Sequence, residues 1–202
     1  MKSLFVATTL SLAAGLAGAV ATVGQPAPAF TATDVNGKAV SLADFKGRTV
    51  VLEWVNPGCP FVQKHYNSAN MQGTQKDAGA KGVVWLAVNS TATDSEDYLA
   101  PAALAKWMQA QKAAASATLM DSDGKIGRAY GARATPHMYI VDPAGKLVYA
   151  GGIDDKPSTN VADVARANNY VKAALNESLA GRPISQATTR PYGCSIKYAP
   201  GA

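Results

Sequence analysis

Cys59 is the residue whose surroundings most strongly indicate chemistry. An apolar, β-branched stretch, 50–55, runs into the turn residues 56–58, and Pro60 follows the cysteine directly. This order predicts a strand, a tight turn and then a helix that begins at the thiol. Backbone N–H groups at a helix start favour an anion, so they stabilise the thiolate, which is the nucleophile in disulfide and peroxide chemistry.

Cys194 is the other cysteine of the chain and lies in a Pro-Tyr-Gly-Cys tail. An even number of cysteines in an exported protein permits a disulfide, and closing so long a loop would stabilise the fold by about 4–5 kcal/mol in the chain-entropy model. Alternatively, Cys194 is a resolving thiol that attacks a mixed disulfide or a sulfenic acid on Cys59. Both interpretations require the two sulfurs to meet, so the sequence leaves them open.

Three further side chains are candidates for roles near the thiol. Glu53 lies within an apolar strand, where loss of hydration should raise its carboxyl pKa; a structural pairing or a path to solvent is the alternative. His65 lies six positions after Cys59, nearly on the opposite face of the predicted helix, and is expected to pack rather than to touch the sulfur. If His137 converged with both cysteines, the set would suit a soft metal such as Cu(I). No closely spaced ligand motif supports a metal site, and no metal or organic cofactor is expected.

Alternating strands and helices must position these residues. Strands are indicated by apolar and β-branched runs at 49–55, 82–89, 118–120, 134–142 and 146–151. Helices are indicated at 60–77, 95–115, 125–130 and 160–180, with one helical turn at 42–45. An Asn-Gly turn joins two short strands near residue 36, and the last two strands form a hairpin. The pattern predicts an α/β fold: a central mixed sheet flanked by helices, with an N-terminal extension and a C-terminal helix plus tail.

Residues 1–21 are expected to be a cleaved signal peptide. A positive start is followed by the apolar run 4–16 and by small-residue cleavage sites after Ala19 or Ala21. A retained membrane anchor is the alternative, although the run is short for a span of about 20 residues. Residues 22–202 then form one domain, including the cysteine-bearing tail, which is periplasmic or secreted and has no membrane contact after cleavage.

The formal charge of the chain is +5, and its lysines and arginines do not gather in blocks. This distribution gives no support to nucleic-acid binding and indicates a solvated basic surface.

The order of elements, with Cys59 at the first strand–helix junction and Thr135-Pro136 before a later strand, resembles the thioredoxin superfamily. More narrowly, it is similar to exported bacterial redoxins of the TlpA-like and AhpC/TSA-like group, over roughly residues 23–180. The resemblance implies that Pro136 is a cis-proline facing the nucleophile and that Thr135 offers its backbone to a substrate chain. It also implies that Glu53 relays a proton. Four residues around the thiol complete the predicted substrate contacts: Asn56, Gly58, Pro60 and Phe61.

Two departures from these families bear on mechanism. The thioredoxin Cys-x-x-Cys pair is incomplete because Val62 stands at its second position, so the mechanism is monothiol or uses Cys194. The peroxiredoxin pattern Pro-x-x-x-Thr-x-x-Cys has Leu52 and Asn56 in place of its proline and threonine, and Pro136 takes the position of its arginine.

The leading hypothesis is a periplasmic thiol-disulfide oxidoreductase with Cys59 as nucleophile. Its substrate would be a thiol or disulfide protein, or a small thiol or peroxide, and an external thiol reductant would complete the cycle. One alternative is a peroxiredoxin-like thiol peroxidase with an antioxidant role. The other is a non-catalytic module that binds a protein or copper and carries a structural Cys59–Cys194 disulfide.

Overall fold

The computed structural model describes residues 20–200. The predicted signal peptide therefore lies outside the described residues, apart from Val20 and Ala21. Within this part of the chain, no helix combines the length and the apolar character that crossing a bilayer requires.

Residues 20–200 form a seven-stranded mixed sheet and a separate two-stranded ladder. The strands are β1 (Thr31–Asp34), β2 (Ala39–Ser41), β3 (Val50–Trp54), β4 (Val84–Asn89), β5 (Ala117–Met120), β6 (Ala134–Thr135), β7 (His137–Val141), β8 (Leu147–Gly151) and β9 (Cys194–Ser195). The large sheet has the order β2-β1-β5-β4-β3-β7-β8, with β3, β4 and β5 parallel and the other pairs antiparallel. β6 pairs with β9 outside it. The predicted mixed sheet and its terminal hairpin are confirmed.

Helices lie on both faces of the sheet. They are α1 (Pro60–Asn67), α2 (Asn70–Ala80), α3 (Pro101–Ala110), α4 (Lys125–Tyr130) and α5 (Tyr170–Leu179), with 3₁₀ turns at Leu42–Phe45 and Val161–Arg166. Buried side chains of α1, α2, α3 and α5 share one core, whereas those of α4 belong to the core on the opposite face.

β3 contributes to both cores, which explains its unbroken apolar sequence. Val51, and Val55 directly after the strand, belong to the core beneath α1, whereas Leu52 and Trp54 belong to the other core. Successive side chains of a strand point to opposite faces, so a strand covered on both sides has no polar face. Glu53 shares the α1 face with Val51, and it is completely buried there.

Two predicted helices are divided in the structure. The helix predicted over 60–77 is two helices, because Ala69 has a left-handed backbone with φ of 58°. The Gln72 side chain donates to the Tyr66 carbonyl at 2.9 Å, which caps the end of α1. The helix predicted over 160–180 is likewise divided, because the Asn169 side chain accepts from the backbone of Lys172 and starts α5 anew. Hydrogen bonds from side chains to the backbone compete with a continuous helix, and the hydrophobic periodicity of the sequence does not reveal them.

Proline sets two other boundaries that the sequence pattern placed differently. The helix predicted to start at Ser95 begins at Pro101, since the residue before proline avoids helical geometry and Ala100 has ψ of 154°. The strand predicted over 134–142 is split into β6 and β7 by Pro136, which has no N–H to donate to a ladder.

Candidate active site

Cys59 occupies the N-cap position of α1, and Pro60 takes the first helical position as predicted. The Cys59 carbonyl accepts the first helical hydrogen bond, from the backbone of Gln63 at 2.9 Å. In the turn before it, the Asn56 side-chain oxygen accepts from the backbone N–H of Gly58 at 2.8 Å. Asn56 and Gly58 therefore shape the turn that aims the thiol. The thiol itself is covered, since Cys59 is only 2% exposed.

The Thr135–Pro136 peptide bond is cis, as the resemblance implies. This bond lies where β6 ends and β7 begins, and the Thr135 carbonyl faces the cysteine. The Cys59 Sγ donates a hydrogen bond to that carbonyl over 3.0 Å. The thiol thus contacts the backbone at the end of β6 directly.

Cys194 meets Cys59 at Thr135. In the antiparallel ladder of β6 and β9, Thr135 is the register partner of Cys194, and Ala134 is that of Ser195. Both cysteines are free thiols. Burial, together with hydrogen bonding and charge interaction with Cys59, raises the pKa of Cys194 to about 12. Cys194 therefore holds its proton at neutral pH while it stands beside Cys59.

The tail that carries Cys194 is fixed on both sides of the cysteine. Before it, the Tyr192 hydroxyl donates to the Asp154 carboxylate at 2.5 Å, and the Tyr192 ring meets Phe61 edge-on at 5.8 Å between centroids. Beyond it, the Tyr198 hydroxyl donates to the carbonyl of Ala132 at 2.7 Å. Phe61, predicted as a substrate contact, is thus a contact of the protein's own tail.

The sequence pattern did not predict the buried polar cluster that lies under Tyr192. His65 Nε2 lies 3.0 Å from the Tyr192 hydroxyl, and its Nδ1 lies 2.9 Å from the Asn70 side-chain amide. The Lys64 ammonium is 4.0 Å from the Asp154 carboxylate, and both side chains are inaccessible to solvent. Burial lowers the pKa of His65 to about 4, so the ring is neutral at pH 7. His65 packs away from the sulfur, as predicted. The sequence feature that could have pointed to this cluster is the aromatic residue Tyr192, two positions before Cys194.

Glu53 lies in the core between β3 and helices α1 and α2. Its carboxylate accepts three side-chain hydrogen bonds, from Tyr66 at 2.9 Å, from Gln75 at 3.0 Å and from Trp85 at 2.7 Å. Loss of hydration outweighs these bonds and raises the pKa of Glu53 to about 7. Glu53 therefore has both the raised pKa and the structural hydrogen bonds that the sequence offered as alternatives. These hydrogen bonds involve core side chains and not the thiol.

His137 is buried behind the site and does not complete a metal centre. Its Nδ1 accepts from the backbone N–H of Arg133 at 3.4 Å and lies 3.1 Å from the Tyr139 hydroxyl. Burial and the neighbouring Arg133 charge lower its pKa to about 3. Over residues 20–200, no three His, Cys, Asp or Glu side chains gather as metal ligands would. The copper hypothesis thus gains no support from this part of the chain.

Gly193 sets how closely the tail approaches β6, and its replacement by alanine should open the site. Its backbone has φ of 140°, and a Cβ there would collide with the Thr135 carbonyl. A clash of this kind costs about 1–3 kcal/mol. We expect Gly193→Ala to raise the alkylation rate of Cys59 about 5- to 100-fold, as measured by iodoacetamide labelling and peptide mass spectrometry.

Gly181→Ala is the matched control for this substitution. Gly181 also has a positive φ, 67°, but nothing lies within 4 Å of a Cβ there. It should leave Cys59 as protected as in the wild type. Equal labelling of Cys59 in wild type and Gly193→Ala would show that the tail does not shield the thiol.

Comparison with solved structures extends the similarity over nearly the whole chain. An uncharacterized conserved protein from Geobacillus kaustophilus is 30% identical, with a TM-score of 0.78, and the match covers 90% of this chain and 94% of that one. A hypothetical protein from Sinorhizobium meliloti 1021 is 25% identical, with a TM-score of 0.76, covering 89% and 96%. The thioredoxin domain of a thiol-disulfide oxidoreductase from Bacteroides vulgatus is 27% identical, with a TM-score of 0.52, covering 72% and 96%.

Sequence comparison identifies relatives with a named activity. The thiol-disulfide oxidoreductase ResA of Bacillus thuringiensis subsp. konkukian is 29% identical over 127 residues, which are 62% of this chain and 67% of that protein. ResA of Bacillus subtilis is 28% identical over 125 residues, covering 62% and 64%. The structural neighbours confirm a thioredoxin-like fold. Residues 23–150 match the model of the AhpC/TSA family, and the chain belongs to that family of redoxins.

Proposed function

We propose that this protein is a thiol-disulfide oxidoreductase in which Cys59 is the nucleophile and Cys194 is the resolving thiol. The observation that carries the proposal is the convergence of the two cysteines on Thr135. Cys59 donates to its carbonyl over 3.0 Å, and Cys194 is its partner in the β ladder. Similarity to ResA, a thiol-disulfide oxidoreductase, supports the same reaction class.

The reaction consists of two exchange steps. The Cys59 thiolate attacks one sulfur of a disulfide, forms a mixed disulfide and releases the other half as a thiolate, which takes up the proton that the Cys59 thiol gave up. Cys194 then attacks the Cys59 sulfur, the Cys59–Cys194 disulfide forms, and the second half of the substrate leaves as a thiolate that takes up the proton released by Cys194. The protein is oxidised by two electrons and the substrate is reduced by two. An external thiol reductant reverses these steps on the protein.

Other residues of the site position the reacting groups for these steps. Thr135 and Pro136 present the backbone edge beside the thiol, while Asn56, Gly58 and Pro60 set the turn and the helix start. Glu53, with a pKa of about 7, exchanges its proton near neutral pH. On the resemblance to thioredoxins we assign it a proton relay to the site, although its own hydrogen bonds are to Tyr66, Gln75 and Trp85.

The same proposal places the protein outside the cytoplasm. The positive start and the apolar run that follows it are typical of a secretory signal. An oxidising compartment is where a reversible protein disulfide persists between catalytic cycles.

Cys194→Ser tests the resolving role directly. With pre-reduced protein and the uncharged probe 2-hydroxyethyl disulfide, we expect the variant to accumulate a mixed disulfide on Cys59. The serine hydroxyl cannot displace the bound thiol. Wild type should instead pass on to the intramolecular Cys59–Cys194 disulfide, and intact-mass measurement separates the two products.

Ser195→Ala is the matched control, because it changes the neighbouring exposed residue of β9 and leaves both thiols in place. It should behave like wild type. A stable adduct on Cys59 in wild type would contradict the resolving role of Cys194. A Cys59–Cys194 disulfide that resists millimolar glutathione would favour the structural clasp over turnover.

A further inference from the structure

The backbone edge beside the thiol is already occupied by the protein's own tail. An extended substrate chain would pair with β6 by strand addition, but β9 holds that position. The tail is retained there by hydrogen bonds on the far side of the cysteine: Tyr198 to Ala132 at 2.7 Å, Ala92 to Lys197 at 2.8 Å and Arg128 to Ala199 at 2.7 Å. A protein substrate would have to break this set before it reached Cys59.

A cavity beside the tail offers a different approach. Its volume is about 770 Å³, within the range of small-molecule sites. Its wall includes Gly193, which is bonded to Cys194, and Ala134, which is bonded to Thr135. A ligand seated there contacts the chain neighbour of Cys194 and the chain neighbour of Thr135, whose carbonyl accepts the hydrogen bond from Cys59.

The charge available to a ligand in this cavity is positive. Arg133 and Arg190 line the cavity, and over residues 20–200 the guanidinium group of neither residue forms an ion pair or a hydrogen bond. The two aspartates of the wall are paired with lysines: Asp154 with Lys64 at 4.0 Å and Asp155 with Lys156 at 3.8 Å. Arginine is the side chain best suited to bind carboxylates in a fixed orientation.

We infer that the substrate is a low-molecular-weight disulfide that carries carboxylate groups, bound in this cavity by Arg133 and Arg190. The inference rests on the proposed function and names its substrate class. One small disulfide and the two protein thiols give the Cys59–Cys194 disulfide and two molecules of the small thiol. The two thiol protons end on the two released thiolates, and a dithiol reductant returns the protein to its starting state.

Charge selectivity tests the inference. Pre-reduced wild type and the Arg133→Gln/Arg190→Gln double variant are each mixed with glutathione disulfide, uncharged 2-hydroxyethyl disulfide or cationic cystamine. The rate of protein thiol loss is then measured. We expect the double variant to slow the reaction with glutathione disulfide about tenfold, the combined effect of two partly exposed ion contacts. The reaction with 2-hydroxyethyl disulfide should stay within about twofold, and that with cystamine should not slow.

A second double variant, Lys38→Gln/Arg182→Gln, removes the same charge from exposed positions outside this cavity. It should leave the rate with glutathione disulfide within about twofold. If both double variants slow that reaction equally, only net charge matters, and the inference is wrong. If no disulfide oxidises the pair at all, the proposed function fails instead.

A protein disulfide provides the remaining comparison. Wild type should react with insulin at least about tenfold more slowly than with glutathione disulfide. Gly193→Ala is expected to displace β9 and should therefore reduce this difference in rate. Equal rates with both substrates in wild type would overturn the assignment to small molecules while leaving the oxidoreductase proposal intact.

Discussion

Replacing Cys59 by serine is expected to remove disulfide reduction, lowering the single-turnover rate by at least about 1,000-fold. A serine hydroxyl does not ionise near neutral pH and cannot form the mixed disulfide, and burial still raises the pKa of the remaining Cys194 thiol above its ordinary value. The remaining cysteine is therefore a poor substitute for the nucleophile. The measurement is thiol release from 2-hydroxyethyl disulfide by pre-reduced protein.

The fold should survive this change. Serine is close in volume to cysteine and retains a donor for the Thr135 carbonyl, so the melting temperature should move by only a few degrees. Cys194→Ser is the companion variant, because it should keep the first exchange step and lose only the second. Residual activity of Cys59→Ser within tenfold of wild type would refute Cys59 as the nucleophile.

Replacing Glu53 by alanine is expected to lower the free energy of unfolding by about 4 kcal/mol or more, the largest loss among the substitutions proposed. The substitution strands three buried donors, on Tyr66, Gln75 and Trp85, and leaves a void in the core. Glu53→Gln fills the same space and keeps one acceptor, so it should cost about 1–3 kcal/mol. Urea denaturation at fixed pH measures both changes, and an alanine variant as stable as the glutamine variant would contradict this account.

The Glu53 carboxyl should also make stability depend on pH. Its pKa is about 7 in the folded protein, against an ordinary value of 4.5, so the folded state binds more protons between these values. The free energy of unfolding should therefore fall as the pH rises from 4.5 through 7. The total decrease is on the order of 3 kcal/mol. The difference in stability between wild type and Glu53→Gln should change over this window, and parallel pH profiles would show that Glu53 does not titrate there.

The sequence predicted those parts of the site that depend on local chemistry. Cys59 at a helix start follows from the order of turn and proline, and the burial of Glu53 follows from the apolar residues on either side of it. The central sheet is likewise specified by runs such as 50–54 and 84–89, whose length and β-branched content point to two-sided burial.

The parts that escaped prediction depend on contacts distant along the chain. The breaks at Ala69 and before Asn169 come from side chains that cap new helix starts or ends, which periodicity does not reveal. The position of Cys194 depends on the hydrogen bond from Tyr192 to Asp154 and on the absence of a side chain at Gly193. Apart from the aromatic residue at 192, the local pattern of the tail does not indicate a partner as distant along the chain as Asp154.

The pairing of β9 with β6 has a consequence for biosynthesis. Cys59 is translated before β4, whereas Cys194 is translated after every strand of the large sheet. Until Cys194 is translated, the nascent chain carries Cys59 without its partner, so an oxidant or the thiol of another polypeptide can react with it. Assembly of the cysteine pair therefore follows synthesis of the sheet, and a chain that stops before Cys194 lacks the resolving thiol that we propose.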